Sequence, residues 1–207
     1  MSRTAGETRG WVEEGTRLML EATAGLTDEE VRRASTLPGW TVGQLVAHVA
    51  ANAEALSNLA SWAATGVETP MYPSVAARDA AIEAARSLDA TEVLTLLTES
   101  TERLARGFDT LTPAQWEAEV TTIQGRTLPA TEIPWLRARE VCVHAVDLAR
   151  GVTFTHLPDG FLVALIEEIR AKRGLASLPD GPPAEVAAWL AGRPHHLTDA
   201  PALGPWL

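Results

Sequence analysis

The chain has 207 residues, 46% of them apolar, and a formal net charge of −10. That length suits one domain with enough apolar material for a core, and the acidic balance argues against nucleic acid or an anionic membrane as the main partner. The single cysteine, Cys142, excludes an internal disulfide; residues 1–10 lack the apolar stretch of a signal peptide, and no run is long enough to span a bilayer, so a soluble, cytoplasmic protein is expected.

A first helix is expected over residues 9–24, stopped near Gly25. Thr27 with Glu30 forms a capping box that opens a short helix over 28–34. The turn Leu37-Pro38-Gly39-Trp40 leads into a long helix over 42–65, opened by Thr41 with Gln44 and closed by Gly66. A loop with Pro70 and Pro73 precedes a helix over 75–87. Asp89 with Glu92 opens another long helix over 90–110, and Thr112-Pro113-Ala114-Gln115 reads as one more helix start. Residues 120–128 favour extended structure with a turn at Gln124-Gly125. The fourth long helix begins at 131 or 134 and runs to 150, with Gly151 as its stop.

After Gly151 come an amphipathic helix over 158–173, a linker over 177–183, a short helix over 184–191, and a tail ending Trp206-Leu207. The whole reads as mainly α: a four-helix bundle over residues 1–153, with residues 154–207 packing on it as a short C-terminal cap.

Chemistry concentrates on two of the long helices. Glu140 and His144 are four apart, so they share a helix face. His48, on the 42–65 helix, would complete a set of two histidines and one carboxylate with an open position, the ligand count of a catalytic zinc. Each residue also has an ordinary reading. His48 suits a hydrogen-bonded core histidine, Glu140 a partner for Arg137 or Arg139, and His144 a donor to Asp147 or a carbonyl. An ionised glutamate in a core is costly unless paired or metal-bound, which favours the shared site. Asp147, three beyond His144, is placed to accept a bond from its ring. Cys142 points to another side of the helix and reads as a small buried residue.

The text around these residues resembles the mycothiol-dependent maleylpyruvate isomerase family, within the DinB-like superfamily of metal-binding four-helix bundles. The matching segments are Leu37-Pro38-Gly39-Trp40-Thr41, Leu45-Val46-Ala47-His48-Val49-Ala50, Glu68-Thr69-Pro70-Met71-Tyr72, Gln124-Gly125-Arg126-Thr127 and Arg137-Ala138-Arg139-Glu140-Val141, followed by His144-Ala145-Val146-Asp147. The resemblance implies zinc held by His48, Glu140 and His144, a functional arginine at Arg78, and another at Arg193 in Ala191-Gly192-Arg193. It also implies a larger α/β domain after the bundle, for which residues 154–207 are short.

The reaction implied is conversion of maleylpyruvate to fumarylpyruvate, in gentisate breakdown, with mycothiol as the thiol cofactor. Thiolate addition to the cis double bond leaves a single bond that rotates, and elimination returns the thiol and the trans product. Arg78 would hold a carboxylate or the enolate, and Arg193 would clamp a second carboxylate from the cap. Arg126 and Tyr72 are the candidates for further substrate contacts. Two other readings use the same residues: a mycothiol S-transferase acting on a small electrophile, and a metal-free helical binding module. Oligomeric state is not written in the sequence.

Overall fold

The computed structural model describes residues 3–204 and 206. Leu207, at the end of the expected tail, lies outside the described residues. Four long helices form the body: α1 (Ala5–Thr23), α3 (Val42–Thr65), α5 (Ala90–Thr110) and α7 (Ile133–Asp147). Between them lie the short α2 (Asp28–Arg32), α4 (Val75–Ala84) and α6 (Pro113–Trp116). A small hairpin joins α6 to α7. Its strands, β1 (Glu119–Thr121) and β2 (Thr127–Pro129), pair antiparallel with Val120 opposite Leu128. Helices α8 (Asp159–Arg173) and α9 (Pro183–Leu190) follow.

Local chemistry sets most of these boundaries. Capping boxes open α1 (Thr4 with Glu7), α2 (Thr27 with Glu30), α3 (Thr41 with Gln44), α5 (Asp89 with Glu92) and α6 (Thr112 with Gln115). Each supplies two orphan backbone donors with acceptors at once. Gly66 closes α3 at φ 72°, in the left-handed region where a Cβ would be strained.

Helix α5 shows a clean inward stripe, Val93, Leu97, Ser100, Leu104 and Phe108. It packs on α3, which also contacts α7, while α1 lies along α7. Helix α7 is enclosed on nearly every side, so even Arg137, His144 and Asp147 are buried. Phe161, Leu165 and Ile169 of α8 and Val186, Ala187 and Leu190 of α9 join the same apolar cluster as α1, α3 and α7. Each large apolar side chain buried in this way contributes about 1.5–3 kcal/mol. The C-terminal segment is thus fastened to the back of α7, the helix that carries two of the three candidate ligands.

The α1–α7 contact is close enough to need a glycine. A Cβ on Gly15 would lie 2.6 Å from both Cys142 Sγ and Val141 Cγ2. Overpacking of that kind costs about 1–3 kcal/mol, against a gain in helix propensity of roughly 1 kcal/mol. Gly15→Ala is therefore expected to lower the thermal midpoint by about 3–6 °C. A melt unchanged from wild type would show that α1 and α7 can move apart freely.

Candidate metal centre

His48 projects from the second turn of α3, and Glu140 and His144 from successive turns of α7. Their side chains meet. His48 Nε2 lies 3.1 Å from Glu140 Oε2, and His144 Nε2 lies 3.3 Å from the same oxygen. One ligand atom from each residue falls within 4.8 Å of the others. A tetrahedral ion with bonds of about 2.1 Å holds neighbouring ligand atoms roughly 3.4 Å apart, so the spacing suits a shared cation.

The hydrogen-bond pattern gives an independent reason to expect one. His144 Nδ1 lies 2.9 Å from Asp147 Oδ2. An ionised carboxylate only accepts, so Nδ1 carries the hydrogen and the neutral ring turns its Nε2 lone pair toward Glu140. Two acceptors at 3.3 Å repel unless a proton or a metal ion sits between them. In the metal-free chain the proton takes that place: burial opposes it, but Asp147 and Glu140 together raise His144 to about 9. Burial likewise opposes ionisation of Glu140, and hydrogen bonds to His144 and His48 hold it well below the ordinary carboxylate range. The donor set therefore fits a divalent cation. His48 Nδ1 is buried without a hydrogen-bond partner, and Trp40 packs edge-on against the His48 ring, with centroids 5.2 Å apart.

Behind His144 stands a second layer. Arg193 Nε and Nη2 donate to the two oxygens of Asp147 at 3.0 and 2.7 Å, a bidentate pair buried in the core. Thr36 Oγ1 donates to the Asp147 carbonyl at 2.8 Å. This chain of contacts fixes the His144 ring from behind, through a residue in the loop after α9.

Two cavities open on the other side. One, about 510 Å³, is lined by Glu140 with Arg126, Arg139, Lys172, Arg173 and Trp206. The other, about 590 Å³, is lined by Tyr72 and Arg78 over the Ala47–Ala51 face of α3, and Met71 borders both. Burial pushes the Tyr72 phenol up to about 12, with Glu140 acting in the same direction against Arg78 and Arg137. Glu140 and Arg78 thus each sit within electrostatic reach of Tyr72, which keeps its proton as a hydrogen-bond donor at neutral pH.

Residues 12–149 match the description of the mycothiol maleylpyruvate isomerase N-terminal domain. The chain belongs to the mycothiol maleylpyruvate isomerase family. A crystal structure of the mycothiol-dependent maleylpyruvate isomerase superposes with a TM-score of 0.91 at 32% identity, covering 99% of this chain and 98% of that one. The structure of its histidine-to-alanine mutant matches equally well. YfiT from Bacillus subtilis, described as a probable metal-dependent hydrolase with an unusual four-helix bundle topology, shares the fold at a TM-score of 0.57 and 19% identity, over 72% of this chain and 89% of that one. Among curated proteins no match was found.

Within this member of the isomerase family, the sequence-predicted residues fall in three places. His48, Glu140 and His144 converge. Tyr72, Arg78 and Arg126 line the two cavities beside them. Arg193 does not reach those cavities. It pairs with Asp147, beside a separate cavity of about 710 Å³ that none of the three candidate ligands lines. The C-terminal region is also not cut down relative to the matched isomerase, since 98% of that chain is covered. Cys142 is fully buried, its thiol pushed up by that burial, and its Sγ faces Trp11 on α1.

Sequence reasoning took Arg137 only as a possible partner for Glu140. It lies three before Glu140 and seven before His144, so it shares their face, and that spacing was a readable signal. It is buried and donates to the Val49 carbonyl at 2.6 Å and Asn52 Oδ1 at 3.1 Å, tying α7 to α3 beside the site.

The second layer carries its own prediction. Asp147→Asn removes the acceptor charge that orients His144 and balances Arg193. Loss of such a partner typically costs about 10–100-fold in metal affinity. A chelator-competition titration should show that weakening, and an unchanged affinity would mean that His144 needs no help from behind.

Proposed function

We propose that the protein is a zinc- and mycothiol-dependent cis–trans isomerase that converts maleylpyruvate to fumarylpyruvate. The observation that carries this reading is the meeting of His48, Glu140 and His144 at one point, in a chain aligned over 99% of its length with an enzyme of that description. Two imidazoles and one carboxylate suit zinc and leave a bound dication with net positive charge and room for another ligand. Zinc in that position supplies a Lewis acid that favours the thiolate form of a coordinated thiol at neutral pH.

The chain's own residues do the rest. Asp147, held by Arg193, keeps His144 Nδ1 protonated and its Nε2 turned toward the site. Tyr72 offers a phenolic donor, and Arg78 a guanidinium, where negative charge develops as the thiolate adds to the alkene. No cysteine of this chain serves as nucleophile, because Cys142 is sealed against α1. The thiol must therefore come from outside, which agrees with a mycothiol-dependent reaction. No described helix is long and apolar enough to cross a membrane, and we place the enzyme in the reducing cytoplasm, where a free thiol cofactor persists.

The test is a reconstituted reaction of protein, zinc, mycothiol and maleylpyruvate, followed by chromatography. Fumarylpyruvate is expected, with an absolute need for mycothiol that a generic thiol does not replace. Accumulation of a stable mycothiol adduct without fumarylpyruvate would instead identify an S-transferase. Protein purified without chelator that holds no transition metal, and is indifferent to His48→Ala, would identify a non-catalytic module.

A further inference from the structure

The cavity beside Glu140 is unlike the others in its charge. Four cations line it: Arg126 from the β1–β2 turn, Arg139 from α7, and Lys172 and Arg173 from the end of α8. Among the described residues the only carboxylate in its lining is Glu140, one of the candidate ligands. Several cations of the other cavities have a carboxylate each. In the Arg78 cavity Arg103 pairs with Glu54 at 3.0 Å. In the groove between α1 and α5, Arg9 pairs with Asp109 and Arg17 with Glu14 and Glu21. Beside Asp147, Arg193 is taken up by that carboxylate. A chain with a formal net charge of −10 thus collects a patch of net positive charge, among the described residues, next to its candidate metal site.

The patch is built rather than incidental. Arg139 is 9% exposed, yet its Nε is buried with no hydrogen-bond partner. Its Nη1 donates to Glu168 Oε1 at 2.5 Å, an oxygen that Lys172 Nζ also approaches at 2.8 Å. Both cations also lie over the Trp206 ring, at 5.3 and 5.4 Å from its centroid. Glu168 therefore positions two of the cations, and their charge still exceeds its own. Arg173 is held by the carbonyls of Leu190 and Gly204, with no carboxylate partner among the described residues. Arg126 makes no side-chain ion pair among the described residues. A cavity that four cations line, with one carboxylate beside them among the described residues, is a place for an anion.

We propose that this cavity seats a carboxylate of the substrate, with Arg139 at its floor and Arg126, Lys172 and Arg173 around it. The inference rests on the isomerase reading for the identity of that anion. The cations act in binding: they gather a dianion that the overall field of the protein repels, and they set the substrate's end against a wall formed by Glu140. Specificity follows. A substrate with an uncharged group at that end leaves these cations without a counter-charge and binds more weakly.

The experiment uses zinc-loaded full-length protein and two readouts. Arg139→Gln is the direct variant but also frees Glu168 from its buried partner, so Arg126→Gln/Lys172→Gln, in which Arg139 still holds Glu168, is made alongside it, with folding checked by circular dichroism. Calorimetric titration with maleate, a small cis dicarboxylate, reads binding without turnover, and steady-state kinetics reads KM for each substrate. The double variant is expected to weaken maleate binding and raise KM for maleylpyruvate by about tenfold or more. Metal content and KM for mycothiol should stay within about twofold of wild type. Maleate binding should also weaken with added salt.

Unchanged maleate affinity in the double variant would overturn the proposal. So would a rise in KM for mycothiol alone, which would assign the cavity to the thiol. Should wild-type protein fail to isomerise maleylpyruvate, the isomerase reading falls. The titration still decides the anion site in that case, since maleate binding lost on Arg126→Gln/Lys172→Gln upholds it and binding retained overturns it.

Discussion

Glu140→Gln is expected to strip the metal and, with it, nearly all turnover. Glu140 Oε2 is the point on which both histidines close, 3.1 Å from His48 Nε2 and 3.3 Å from His144 Nε2. The substitution keeps the size of the side chain and removes its charge. Two neutral imidazoles and an amide oxygen then face the ion, with no anion to offset the cost of dehydrating it. Metal occupancy should fall below about 0.2 equivalents after dialysis, and kcat/KM by about 10³-fold, the scale of several kcal/mol of lost Lewis-acid stabilisation. The fold should survive, because α7 is held by Val141, Cys142, Val143 and Ala145 in the core rather than by Glu140. Elemental analysis and the isomerisation assay on the same preparation check both parts. Full metal content with full activity would remove Glu140 from the ligand set.

Much of this arrangement was legible because it is local. The capping boxes at Thr27, Thr41, Asp89 and Thr112 each specify a helix start within four residues, and the structure places α2, α3, α5 and α6 there. The box at Thr4 was equally readable, and α1 begins at Ala5, four residues earlier than the apolar pattern alone suggests. The Glu140–His144 pairing follows from helix geometry, and the convergence of His48 from a bundle in which α3 packs on α7.

What sequence could not give is which distant groups occupy which arginines. Arg193 lies 46 positions beyond Asp147, and only the docking of α9 and its following loop brings the two together. Arg139 is adjacent to Glu140, but side chains one apart on a helix diverge by about 100°. It turns instead to Glu168 on α8, which leaves Glu140 to the histidines. The division of labour among Arg78, Arg126, Arg139 and Arg193 is a property of tertiary packing, although every one of them was visible as an arginine.

Arg78→Ala should separate binding of the metal from turnover. Arg78 follows the Ser74 cap in the first turn of α4, an element that supplies none of the three candidate ligands, so metal content should match wild type. Its guanidinium lines the cavity with Tyr72. Its Nε is buried without a hydrogen bond, and Asp79 Oδ1, at 3.2 Å, is placed off the donor direction. The guanidinium as a whole borders the cavity, where it can face an oxygen that gains charge during the reaction. Thiolate addition to an alkene conjugated with a carbonyl sends charge to that carbonyl oxygen, and removal of one such stabilising donor costs about 10²–10³ in kcat. The loss should fall mainly on kcat, because the contact strengthens as charge develops, and Arg78→Lys should recover part of it by restoring the charge without the planar fork. A variant that loses its metal would join Arg78 to the ligand shell. One whose defect lies wholly in KM would make it a ground-state binding residue, and the enolate would then depend on Tyr72 and the metal alone.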